Sequence, residues 1–123
     1  MPAPQQSSEE VHSLIRTAMV RQQPIEVVYE GRHRLLCPHV LGRNKEGRLR
    51  VLCYQYGGES ESGLRRKDGR GDWRCFSLEK VSQVRILEAP WQTAEGLQGR
   101  PKCIDQIEIE VNHQPERDPQ KGQ

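Results

Sequence analysis

Aromatic residues are scarce in this chain. Three Tyr, two Trp and one Phe make up 5% of 123 positions. Hydrophobic residues reach only 33%, and the mean hydropathy is -0.87. A chain of this length and composition buries one modest core and no second one. Long apolar runs are also missing: no stretch exceeds five residues, so no segment is expected to cross a bilayer. Met1 to Glu10 has no apolar run behind a basic start, so no secretory leader is expected and a cytoplasmic location follows. There is no C-x-x-C pair. The closest of the four cysteines, Cys37 and Cys53, are 16 residues apart, with Cys75 and Cys103 farther off. That spacing excludes a zinc knuckle. The cysteines read as small buried hydrophobes in a reducing compartment, with a disulfide or a metal site as the alternatives.

Catalytic signatures are absent as well. The chain carries no H-E-x-x-H, P-loop, G-x-S-x-G or G-x-G-x-x-G. His12, His33, His39 and His113 are scattered, and no carboxylate cluster suited to Mg²⁺ stands out. A non-enzymatic protein without metal or cofactor is expected. An unrecognised nuclease is the remaining enzymatic option.

What the chain does have is an uneven charge distribution. The net charge of +2 hides thirteen Lys/Arg against six Asp/Glu between residues 31 and 85, a local charge of +7. The segments on either side are net acidic, at −2 and −3. A basic middle can attract phosphates or can serve as a solvated face.

The first residues are rich in Pro, Gln and Ser and are expected to be disordered over 1–7. Ser7 with Glu10 fits a capping box, and Val11, Leu14, Ile15, Ala18 and Met19 follow at helical spacing. A helix over about 8–22 is predicted, ended by Pro24. From Ile25 the apolar period changes to two. Strands are predicted over 25–30, 33–41, 48–56, 73–78, 82–88 and 103–111. Pro38 inside the second implies an edge position or a bulge. In the third, Leu49, Val51 and Cys53 should share one face, and Arg50, Leu52 and Tyr54 the other. Residues 57–72 hold five glycines and form a long loop, and the tail from 112 to 123 is polar and expected to be loose. The expected fold is mainly β (α+β), a single domain over 8–111 with one helix followed by a small, strongly bent sheet or barrel of five to six strands.

The order helix, Ile25-Glu26-Val27-Val28-Tyr29-Glu30-Gly31, Pro38-His39-Val40-Leu41-Gly42, Gly47-Arg48-Leu49-Arg50-Val51-Leu52-Cys53-Tyr54, then Trp73-Arg74-Cys75-Phe76-Ser77-Leu78-Glu79-Lys80-Val81 resembles a WYL domain over residues 11–88. The naming tripeptide falls at Leu49-Arg50-Val51, without its Trp and Tyr, and a stand-alone domain, lacking the helix-turn-helix domain that usually precedes it, is the expectation. The resemblance implies a stand-alone Sm-like, SH3-type β-barrel capped by the helix. It also implies a sensor module that binds single-stranded nucleic acid or a nucleotide-like anion through basic residues on the barrel.

Arg74 and Phe76 alternate on one strand and so share a face. Arg74 matches the Arg-x-Phe position of the resemblance; its guanidinium offers a fork to phosphate or a plane to a base, or alternatively a structural ion pair. Lys80 matches the basic residue that follows. Arg32 with Arg34, and Arg48 with Arg50, each share a face of their strand, and four guanidiniums would converge if those faces aligned. Tyr54 or Tyr56 is a candidate stacking platform, while Tyr29 reads as core and Trp73 as a cover for the barrel end. His39 is placed to contact a ligand or to serve as a satisfied structural histidine. The expected ligand site is therefore Arg34, His39, Arg50, Tyr54, Arg74 and Lys80, with Arg65, Arg66, Lys67 and Arg70 supplied by the long loop. The competing expectation is a protein-interaction module. Its alternating strand 103–111, with Ile104, Ile107 and Ile109, would add to a neighbour and make a homodimer.

Overall fold

The computed structural model describes residues 6–58, 72–93 and 103–111. The loop cations Arg65, Arg66, Lys67 and Arg70, and the tail from 112, lie outside the described residues. Helix α1 spans Ser8–Arg21. Six strands follow: β1 (Ile25–Tyr29), β2 (Arg32–Arg43), β3 (Leu49–Gly58), β4 (Asp72–Ser77), β5 (Val81–Ile86) and β6 (Gln106–Glu110), with a 3-10 turn at Leu78–Lys80 between β4 and β5.

The helix begins where its sequence says it should. The Ser7 side chain accepts from the Glu10 backbone N–H at 3.0 Å, and the Glu10 carboxylate accepts from the Ser7 N–H at 2.8 Å, closing the capping box. It ends at Gln22, which takes the left-handed conformation (φ 53°) two residues before Pro24. Gln6, just ahead of the cap, pairs both ends of its amide with the backbone of Val84 at 3.1 and 2.9 Å. That fastens the start of α1 to β5.

All strand pairs are antiparallel, in the order β4-β3-β2-β1-β5, with β6 added to β2. Strand β2 makes this possible by being long. Its first half pairs with β1 as far as Leu36, and its second half pairs with β6 from Val40. Pro38, which has no N–H to give, sits in the gap between those two ladders and at a register shift against β3. Among the described residues β4 and β5 stand at the two ends of the path. The sheet is mainly β and antiparallel, but neither closed nor strongly curled.

The main core lies between α1 and one face of the sheet. Val11, Ile15, Ala18 and Met19 from the helix meet Ile25, Val27, Leu36, Leu41, Val51, Cys53, Phe76 and Val84. Burying one such aliphatic side chain is worth about 1.5–3 kcal/mol. The alternation expected for β3 holds: Val51 and Cys53 join this core with Leu49 against it, while Leu52 joins a smaller cluster on the other face. That smaller cluster is Val40, Leu52 and Ile104, with Trp73, Cys75 and Cys103 packed against it.

Cys75 and Cys103 form a disulfide, whereas Cys37 and Cys53 are free and buried. The expectation of four small buried hydrophobes is therefore corrected for one pair. The reason is tertiary: just ahead of β6 the chain packs Ile104 against Val40 and Leu52 on the face away from the helix, and there Cys103 meets Cys75 of β4 across 28 residues of chain.

Candidate functional site

The helix-side face of the sheet ends in polar residues. Arg34 follows the same alternation as Leu36, and its Cα is paired with Val27 and Gly58. It is therefore carried into the core side and is 3% exposed. Its guanidinium carbon lies 5.2 Å from the Tyr29 ring centre and 5.6 Å from that of Phe76. The two rings meet edge to face at 4.8 Å, and the Tyr29 hydroxyl accepts from the Ser77 backbone N–H at 3.2 Å. Cation–π attraction holds the guanidinium in place, but it does not satisfy N–H donors.

The polar partners of Arg34 are few. Nη2 donates to the Tyr29 carbonyl at 3.2 Å and stands 3.8 Å from the Glu30 carboxylate, which is half in solvent. Nε has no hydrogen-bond partner among the described residues. Burial lowers the Arg34 pKa from its ordinary value; Glu30 works against that shift, and the charge of Arg74 adds to it. The two guanidiniums thus feel each other. Arg74 comes from β4, where Cys53 is its partner on β3, and shares its face with Phe76. Between β2 and β4 lies Gln55, fully buried, whose Nε2 donates to the Gly57 carbonyl at 3.1 Å. The chain leaves this end of the sheet after Gly58, opposite Arg34, and returns at Asp72, opposite Gln55.

Arg34 and Arg74 are the members of the expected set that share the helix-side face and feel each other's charge. Arg50 lies on the other face of β3 and lines a cavity with Cys103 and Asp105. Arg48 is exposed and pairs with Glu79 at 3.0 Å. Lys80 is exposed in the 3-10 turn. The convergence of Arg32, Arg34, Arg48 and Arg50 is thus not what the fold builds.

The aromatic members form a separate group on the face away from the helix. His39 is 1% exposed, with Trp73 at 4.7 Å and Trp91 at 4.9 Å between ring centres. Its Nδ1 lies 2.7 Å from the Cys37 carbonyl and its Nε2 3.0 Å from the Thr93 hydroxyl. Tyr54 is 5% exposed and packs on Trp73 at 5.3 Å. Both are packing residues here, with little face left for a base. Tyr56 is half-buried, and burial raises its pKa. Sequence reasoning missed Glu30 and Gln55 as companions of the arginines; Glu30 lies in the β1–β2 turn four residues before Arg34, a local signal, whereas the β2–β3 register that places Gln55 has none.

Among the described residues no group of three or more His, Cys, Asp or Glu is arranged to hold a metal, and no helix is long and apolar enough to cross a membrane. The chain matches no known family model, no curated protein and no solved structure.

Proposed function

We propose that this domain is a non-enzymatic binding module for an anionic ligand, single-stranded nucleic acid or a nucleotide, taken at the Arg34–Arg74 end of the sheet. The observation that carries it is Arg34. A buried guanidinium with an unsatisfied Nε, one distant carboxylate and a second guanidinium nearby is costly to keep. An oxyanion reaching this pair would relieve the repulsion and give the Arg34 Nε a partner. The +7 middle of the sequence supports the same sign of ligand, and the connection bearing Arg65, Arg66, Lys67 and Arg70 begins and ends at this edge.

The WYL resemblance belongs to this proposal, as does the Sm-like barrel that goes with it. The two register shifts of β2 against β3 are the kind of bend that barrel closure uses. Titration with a labelled oligonucleotide tests the function. Binding at low salt should fall steeply by about 0.2 M salt, as counterion release demands, and Arg74→Ala should weaken it. Absence of binding at low salt, or affinity untouched by Arg74→Ala, would count against it.

A second reading is a homodimer through β6. It is favoured by Ile107, 36% exposed on a strand whose only ladder among the described residues is to β2. Sedimentation of the chain against an Ile107→Glu variant separates the two readings.

A further inference from the structure

Arg50 opens into a cavity of about 290 Å³ on the face of the sheet opposite Arg34, lined by Asn44, Lys45, Glu46, Cys103 and Asp105 besides Arg50 itself. Arg50 is half-buried. Among the described residues it makes no ion pair, and its Nε, shielded from solvent, has no hydrogen-bond partner. A guanidinium in this position has its planar fork of donors unspent.

The walls are held in place from several sides. The Asn44 carboxamide oxygen accepts from the backbone N–H groups of Glu46 and Arg48 at 3.0 and 2.9 Å. The Asp105 N–H donates to the Arg43 carbonyl at 2.7 Å. Cys103 is bonded to Cys75 of β4. The backbone of the walls is thus set before a ligand arrives, and the ordering cost on binding falls on the Arg50 and Lys45 side chains. Its size is just below the usual range for drug-sized ligands, about 300–1,000 Å³, and suits something smaller. The lining carries two residues of each charge, Lys45 and Arg50 with Glu46 and Asp105, so a polyphosphate chain gains little net attraction here. A single carboxylate needs only the fork.

We propose that this cavity binds a small carboxylate, with Arg50 as its bidentate partner and Lys45 as the second charge. This ligand and face are separate from the Arg34–Arg74 site, and the inference does not rest on that reading.

Amide NMR of the full oxidised chain, titrated with acetate and separately with inorganic phosphate at constant ionic strength, tests it. Acetate should give saturable shifts confined to residues 43–50 and 103–106, with a Kd on the order of 1–10 mM for so small a ligand. Arg50→Gln should weaken acetate about tenfold, the usual scale for losing a charged hydrogen-bonding group. It should leave oligonucleotide binding unchanged. Arg50→Lys, which keeps the charge without the fork, should also weaken acetate and serves if Arg50→Gln fails to fold. The proposal is overturned by unsaturable or dispersed shifts, by phosphate binding as tightly as acetate, or by acetate affinity that survives loss of the fork.

Discussion

The Arg16 guanidinium reaches the Glu108 carboxylate across 2.6 Å, joining the first helix of the domain to its last strand. His12, one turn earlier, holds the other oxygen of the same carboxylate at 3.0 Å. Among the described residues β6 has a ladder to β2 alone, and this grip adds a second attachment, to the helix.

The grip makes stability depend on acid. Partial burial works to raise the Glu108 pKa, but the hydrogen bonds and charges of His12 and Arg16 outweigh it, and the result lies below the ordinary value of 4.5. A carboxyl depressed in the folded state stabilises the fold above its unfolded pKa, and that contribution disappears as pH falls through the folded value. Both partners are partly in solvent, so screening limits the effect to about 0.5 kcal/mol. Urea unfolding at neutral pH and near pH 3 should show an acid loss that Glu108→Gln reduces. An identical acid limb in the variant would rule the contact out as its source.

The disulfide should matter more. It closes a loop across 28 residues, for which chain entropy suggests a contribution of about 3.5 kcal/mol. Cys75→Ser with Cys103→Ser should lower the urea midpoint accordingly, and β6 amides should lose exchange protection first. The free thiols give an independent check. Burial pushes Cys37 up to about 11 and Cys53 well above its ordinary range, and the thiolate is the reactive form. The native oxidised chain should therefore show no fast-reacting thiol, and mild reduction should expose two. Rapid labelling of all four cysteines without reductant would refute the pairing.

Gly42 is required by closeness rather than by φ. A Cβ there would collide with the carbonyl of Gln106 and approach Ile104 Cγ2 to 2.6 Å. Ile104 is 2% exposed in the smaller cluster and has no room to yield. Gly42→Ala should force β6 away from β2 and destabilise by about 1–3 kcal/mol, the usual cost of overpacking. Exchange protection at 106–110 should fall more than at β1. Wild-type stability in this variant would mean that β6 does not lie so near.

These contacts also explain what could and could not be read from the residues. Ser7 and Glu10 mark the helix start because a capping box is local, and the alternation of β3 sorts Val51 from Leu52 because pleating has period two. That Arg34 and Arg74 share a face follows from strand order and parity. Arg50 escapes the same logic because β2 has a residue in excess over β3 at His39, between the pairs Pro38–Cys53 and Val40–Leu52. One extra residue reverses the alternation, so Gly42, the partner of Arg50, belongs to the opposite face from Arg34. At about 3.3 Å per residue the two positions are also separated by about 25 Å along β2. Nothing in the local sequence announces that bulge except Pro38, which is compatible with an edge position as well. The pairing of Cys75 with Cys103 is illegible for a similar reason: it depends on where β6 docks.

Arg34 offers the sharpest separation of ligand binding from structure. If its role were to hold the fold together, replacing it with an apolar side chain should destabilise the domain. If it is kept for a ligand, the ligand-free protein bears the cost of a buried guanidinium that has an unsatisfied Nε and stands near Arg74. Arg34→Met keeps the packing against Tyr29 and Phe76 and removes that cost. Replacing buried charges by apolar groups of similar volume is often neutral or stabilising by about 1–4 kcal/mol. The expected result is a Tm at or above that of the wild type, together with loss of oligonucleotide binding. Arg34→Ala, which also removes the packing, should be less stable than Arg34→Met. A clear drop in Tm for the Met variant, with binding retained, would assign Arg34 to the scaffold and leave the anion site without its central residue.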